Sequence, residues 1–455
     1  MLKADNSENY KRMTETPVSS LIPRLAIPTI ISMLVSSIYN MADTFFVSQL
    51  GTSASGAVGI VFSIMAIIQA VGFTIGMGSG ILVSKALGAR DHEEAEKLVS
   101  SAFFSSIAFG LILAFIGLVF NSQIMSMLGA TETILPYAEA YSRYIFIACP
   151  IMIGSFVMNN ILRSEGKALY AMIGITVGGL LNIALDPLFI FTFGLGTAGA
   201  AIATAISQAI SFILLLSAFL RGKSDAVMRI SKVSLSISTY GQIVKTGLPS
   251  LARQGLASIA TILLNVNAAV YGDAAIAAMS ISGRITFFIF SVLLGFGQGF
   301  QPVSAFNWGA KRYDRVYKAT SFTAFVGTIG ITILSALCFI AAPSLIGAFR
   351  DDPDVIRIGV VALRAQALLL PLTGINVTTN MSLQSTSHVA GATFLALCRQ
   401  GIFFIPFIII LPQIIGILGV EIAQPVADLF TFLCSLVFFI KYRKELRTKM
   451  EAQRE

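Results

Sequence analysis

"LAIPTIISMLVSSIYNMADTFFVSQLG", residues 25–51, decides the fold. Between Leu25 and Val47 only Asn40 and Asp43 carry strongly polar side chains. A helix needs about 20 apolar residues to cross the hydrocarbon core of a bilayer, and this stretch supplies them. Runs of the same kind recur to the end of the chain. Of 455 residues, 55% are hydrophobic and only 12% are charged, against about 25% charged in a soluble domain. A water-facing surface cannot be built from that composition. Lipid-exposed backbone must satisfy its own hydrogen bonds, so every run is read as a helix. The expected class is an all-α membrane protein.

Twelve spans are read, at 21–48, 55–82, 98–120, 137–161, 168–192, 198–220, 242–270, 275–304, 319–341, 358–382, 391–411 and 419–440. They imply an N-terminal tail (1–20), a six-helix N-lobe (21–220), a linker (221–241), a six-helix C-lobe (242–441) and a C-terminal tail (442–455). Residues 1–20 are polar and no cleavage site follows the first run, so no removable signal peptide is expected. The N-tail, the loops after even-numbered spans and the C-tail hold 24 of the 31 Lys and Arg. Positive charge marks the cytoplasmic side, so both termini are expected there, in a cell membrane. The net charge of +8 is this bias and not a nucleic-acid footprint. Cys149, Cys338, Cys398 and Cys434 lie far apart in apolar segments and read as core residues. His92 and His388 fall in loops, without metal-site spacing, and are expected to be solvated.

The two sets of six spans read as a repeat. Laying Pro28 on Pro249 and continuing without a gap brings Gly51 onto Gly272, Gly76 onto Gly297, Gly78 onto Gly299, Pro150 onto Pro371 and Asn159 onto Asn380. Gly and Pro govern backbone bends and close approaches, so their coincidence implies like geometry. An even number of spans per half starts both halves on the same side, and the pseudo-two-fold then runs along the membrane normal.

The halves disagree where it matters. Asp43 falls on Leu264, Asn182 on Phe403 and Asp186 on Phe407. The first half holds a polar cluster that its twin lacks. Asn182 and Asp186 are i and i+4 and share a helix face. Thr204, Asn159 and Asn160 offer further oxygens. Carboxylate, amide and hydroxyl oxygens suit a hard cation such as Na+, with Asp43, Asp186, Asn182 and Thr204 as ligands. Alternatively, two acids near each other cannot easily both ionise and share a proton instead. An intramembrane acid is read as functional by default. The competing reading is an Asp held by an Arg for packing. Pro28, earlier in the same span as Asp43, removes the bond to the Arg24 carbonyl and marks a bend or hinge. Asp43, Asn40, Met158, Asn380, Arg284 and Asp428 are the candidates for a substrate cavity.

These residues resemble a known family. "QPVSAFNWGAKRYDRV" (301–316) and "GILVSKALGARDHEEAEKLV" (80–99) are similar to the paired loop signatures of the multidrug and toxic compound extrusion (MATE) family. So are the opening stretch, "ILRSEGK" (161–167) and "NIALDPLFIF" (182–191). The resemblance covers essentially the whole chain. It implies a twelve-helix, two-lobe antiporter that exports organic cations against inward Na+ or H+. It also implies an ion site at Asp43, Asn159 or Asn160, Asn182, Asp186 and Thr204, and a bending Pro28. NorM-type members carry acids in the seventh and tenth helices. Spans 242–270 and 358–382 carry none here, which places the chain nearer the DinF-type branch.

The expected partners are membrane lipid and small cationic or amphipathic substrates, with no nucleic acid, and the chain is expected to act as a monomer. No cofactor is expected beyond the coupling Na+ or H+. "GMGSG" (76–80) and "GFGQG" (295–299) lie inside apolar spans and read as close packing, not phosphate loops. "RGKS" (221–224) lacks the first Gly of a P-loop. The alternatives weighed are a flippase for lipid-linked saccharides, an exporter of a dedicated natural product and a membrane-embedded transferase. The last would need an acidic metal motif facing a cleft. The one acidic run, "DDPD" (351–354), is expected on an outer loop, so no enzyme is expected.

Overall fold

The computed structural model describes residues 2–453, and among them all regular structure is helical. After α1 (Leu2–Glu15) come six spans: α2 (Val18–Ser48), α3 (Thr52–Gly88), α4 (His92–Val119), α6 (Leu135–Ser164), α7 (Ala168–Pro187) and α8 (Gly196–Leu220), with a short α5 (Asn121–Met127) between the third and fourth. The second set begins with α9 (Ile237–Ala269), α10 (Asp273–Gly309) and α11 (Tyr313–Phe349). Its tenth span is broken into α12 (Pro353–Leu369) and α13 (Thr373–Ser385), its eleventh into α14 (Val389–Leu397) and α15 (Phe404–Ile415), and α16 (Ile417–Glu451) completes it. Each of the twelve overlaps its expected span, with ends that differ by up to eleven residues, at the C-terminal end of α16. Eleven are long and apolar enough to cross a membrane by length and composition. The exception is α9, whose apolar half carries Arg253, Gln254, Asn265 and Asn267. Phe115, Ile213, Phe325 and Ile340 are exposed by 61–74%, which suits lipid and not water.

The repeat is written into the backbone. Among non-helical φ values, Gly51 and Gly272 are at 112° and 94°, Arg90 and Lys311 at 60° and 57°, and Gly166 and Ser387 at 80° and 71°. Each pair keeps the offset that lays Pro28 on Pro249. The tie from Asn159 Nδ2 to the Ala171 carbonyl (2.8 Å) recurs as Asn380 Nδ2 to the Ala392 carbonyl (2.6 Å), with the same offset at both ends.

The chain forms two compact units whose borders differ from the linear reading. Unit one comprises Met1–Arg12 and Ile31–Gly247, and unit two Met13–Ile30 and Leu248–Glu455. The first part of α2 therefore packs with the second set of helices, and the first part of α9 with the first set. Two glycines show why. A Cβ on Gly78 of α3 would lie 2.0 Å from the Ile243 carbonyl oxygen of α9, and one on Gly299 of α10 would lie 2.4 Å from Ala26 Cα of α2. Only a residue without a side chain admits such approaches, which bears out the packing reading of the two glycine-rich stretches. Pro28 and Pro249 sit within a few residues of the points where α2 and α9 pass between units. α2 stays one continuous helix through Pro28.

The tails and linker are structured. In unit one, Asn9 of α1 donates to the Glu165 carbonyl and to the Asp225 carboxylate, and Arg12 donates to the Gly166 carbonyl. Linker residues 224–226 close on the Glu165 carboxylate. In unit two, Arg443 and Arg447 on the extension of α16 donate to the Tyr317 hydroxyl. His388, expected to be solvated, is half-buried: it packs between Trp308 and Tyr442, with Nε2 3.1 Å from Glu445. The cysteines are free, and all but the half-buried Cys434 are buried.

Candidate functional site

α6 organises unit one. Its apolar window is 83% buried, against 28–44% for the other long spans, so it is shielded from lipid by its neighbours. Four helices converge on one polar cluster: Asp43 from α2, Tyr141 from α6, Asn182 and Asp186 from α7, and Thr204 from α8. All five are at most 4% exposed. The i, i+4 spacing on α7 holds as read. Asn182 Nδ2 donates to Asp186 Oδ1 and to Thr204 Oγ1, each at 3.2 Å. Pro187 follows directly. Its missing N–H leaves the Ile183 carbonyl without a helical partner, and the chain goes on as a π turn, Leu188–Thr192. Such turns are frequent at functional sites.

The cluster is rich in acceptors and poor in donors. Asp43 Oδ1, Asp186 Oδ2 and Asn182 Oδ1 are buried without a hydrogen bond. Neither acid is ion-paired among the described residues, so the Asp–Arg packing alternative does not apply to them. The two carboxylates are close enough to interact electrostatically. Leaving a buried acceptor unpaired costs about 1–3 kcal/mol, and more for a charged one. Three such oxygens in one buried cluster form a candidate site for a positive ligand. The donor set, all oxygen, fits Na+, and the acid pair fits a shared proton. Among the described residues no group of three or more His, Cys, Asp or Glu assembles.

Tyr141 was not anticipated from the sequence. It is fully buried and lies near Asp43, Asp186 and Thr204, yet its hydroxyl has no hydrogen bond of good geometry. One signal was available: Tyr141 falls on Ala362 when the halves are laid on each other.

Two expected members are otherwise engaged. Asn160 accepts from Arg163 and donates to the Phe156 carbonyl. Asn159 makes through Nδ2 the Ala171 tie that Asn380 repeats in the half without the acid pair, so that bond joins helices in both halves. Of the substrate candidates, Asn40 is half-buried and Met158 fully buried. Asn380 and Arg284 line two adjoining cavities in unit two. Asp428, by contrast, is held by Arg399 at 2.7 Å, which is the packing arrangement the N-lobe acids lack.

Twelve helices in two repeated sets, with counter-ion-free acids buried in one of them, define a multi-pass membrane transporter. The MatE family model matches residues 28–188 and again 249–410. The two matches start at Pro28 and at its repeat-mate Pro249, and the chain belongs to this family of multidrug and toxic compound extrusion transporters. It is 30% identical over 433 residues to the multidrug export protein MepA of Staphylococcus haemolyticus, covering 94% of each chain. It is 29% identical over 435 residues to MepA of Staphylococcus aureus, covering 95% of this chain and 96% of that one. A crystal structure of a MATE protein in complex with MaL6 superposes with a TM-score of 0.91 at 26% identity, over 97% of this chain and 99% of the other. An outward-facing multidrug resistance MATE transporter of the MOP superfamily gives 0.90 at 26%, over 96% and 98%.

Proposed function

We propose that this multidrug efflux transporter is a secondary antiporter. It exports amphipathic organic cations in exchange for inward Na+ or H+, with both termini cytoplasmic. The observation that carries the reading is the set of unpartnered buried oxygens on Asp43, Asn182 and Asp186. Oxygens arranged in this way gain most from a small cation or a proton that enters and leaves. Antiport needs two ligands that stabilise opposite conformations. A bound ion lowers the negative charge of the Asp43–Asp186 site, whereas the site without it attracts a cationic substrate. Pro28 sits where α2 changes unit and is suited to pass a change of state at Asp43 along that helix.

The test is substrate efflux from vesicles holding the purified protein, at fixed pH with Na+ added or withheld, and then at fixed Na+ with a pH gradient imposed. Export of a cationic dye such as ethidium driven by one of the two gradients supports the reading. Export that ignores both gradients overturns it.

A further inference from the structure

Unit two holds a basic cluster of its own. Two cavities adjoin there, of about 150 and about 490 Å³. Arg253 and Asn376 line the smaller, Arg284 the larger, and Arg399 with Phe287 and Phe290 both. Arg399 is itself paired with Asp428 through Nε (2.7 Å) and Nη2 (3.3 Å) while stacking on Phe290 at 4.2 Å. Arg253 lies close enough to Arg399 to be repelled by it, and its hydrogen bond to Asn380 Oδ1 is a long one, 3.4 Å. Among the described residues neither Arg253 nor Arg284 makes an ion pair. Arg253 thus stands half-buried and unneutralised inside a membrane-spanning unit, which is costly without an anion, and the exposed Arg284 adds positive charge at the larger cavity.

A second observation points the same way. Asn376 is 6% exposed, lines the smaller cavity, and leaves both Nδ2 and Oδ1 without a partner. A buried NH2 beside unpaired guanidiniums completes a donor set for an oxyanion. Arg399 and Gln400 reach the cavities from a second π turn, Cys398–Phe403, as Asp186 adjoins the first. When the halves are laid on each other, Arg253, Arg284 and Asn376 fall on Ser32, Ser63 and Ser155, so this basic set is peculiar to unit two.

We propose that these cavities bind an amphipathic ligand by an acidic group, a carboxylate, sulfonate or phosphate ester, seated on Arg253 and Asn376 with its apolar body against Phe287, Phe290, Leu294 and Met381. The inference does not depend on ion coupling, because it concerns equilibrium binding.

The test is fluorescence anisotropy on the purified full-length protein in phosphatidylcholine nanodiscs, without any gradient. The probes are rhodamine 110, which has a free carboxylate, and rhodamine 123, its methyl ester. The acid should bind roughly tenfold more tightly than the ester, the worth of one charge-assisted hydrogen-bond pair. Arg253→Gln should remove that difference, with Arg253→Lys restoring part of it. Arg284→Gln, at an exposed side chain, should reduce it and serves if the first variant does not fold. An ester that binds as well as the acid to the wild-type protein overturns the proposal. So does an Arg253→Gln variant that loses both probes equally. Repeating the wild-type titration with phosphatidylglycerol in the disc separates the sources. Competition identifies a lipid headgroup as the oxyanion, and no competition identifies a soluble ligand.

Discussion

Replacing Tyr141 by Phe separates a structural hydroxyl from an ion-binding one. The ring stays, so no cavity opens in the core of unit one. The hydroxyl is fully buried and makes no hydrogen bond of good geometry, although Asp43 and Thr204 lie within its reach; a buried hydroxyl left without a partner costs about 1–3 kcal/mol. Its removal should leave thermal stability unchanged or raise it by about 1 kcal/mol. If the hydroxyl completes the shell of a cation held by Asp43, Asp186 and Thr204, one polar contact is lost. At about 1–1.5 kcal/mol, that weakens the apparent affinity for the coupling ion by about tenfold. The assay pairs a melting curve of the purified protein with the Na+ or H+ dependence of dye export from vesicles. A Tyr141→Phe variant that melts earlier, yet responds to the ion as the wild type does, would refute the reasoning.

Pro28→Ala restores an N–H for the Arg24 carbonyl and stiffens α2 where it passes between units. The protein should fold and bind dye within about twofold of wild type, while transport slows several-fold; a wild-type rate would show the proline to be dispensable. Glu165, just past the end of α6, accepts from the Ser224 hydroxyl and from the Asp225 and Ala226 amides. Burial first, and then the Asp225 charge, push its carboxyl up to about 8, against the pull of Lys167 and these donors. A raised folded-state value means that the stabilisation is complete below the usual carboxylate range and is lost as pH rises through about 8. Proteolysis of the 221–236 linker should therefore be faster at pH 9 than at pH 6, and Glu165→Gln should flatten that difference. An unchanged difference in the variant would assign the pH response elsewhere.

The spans and the repeat were legible in the sequence because hydropathy and the placement of Gly and Pro answer to local rules. Asp43, Asn182, Asp186 and Thr204 were legible because acids are conspicuous in apolar helices and i, i+4 spacing fixes a face. Asn159 and Asn160 are harder to read, since an amide looks the same whether it ties helices or faces an ion. The presence of Asn380 as half-mate marked Asn159 as common to both halves, and the second half has no such acid cluster to serve. Tyr141 was hidden because an aromatic ring in an apolar run reads as core, and only its replacement by Ala362 in the twin sets it apart. The basic cavity of unit two needed the fold, which brings Arg253, Asn376 and Arg399 together from three helical segments. The exchange of helix ends between units was invisible too, since hydropathy does not say which neighbour a helix end meets.

The central claim, that Asp43 with Asp186 holds and releases the coupling ion, is tested most directly by Asp43→Asn in gradient-driven export. The amide keeps the size of the side chain but cannot carry the charge, and with no arginine or lysine paired to Asp43 among the described residues it strands no counter-ion. The variant should insert and melt as the wild type does, while ethidium export against its concentration gradient falls at least tenfold under both the Na+ and the H+ gradient. Export by Asp43→Asn against a gradient at close to the wild-type rate would contradict the account.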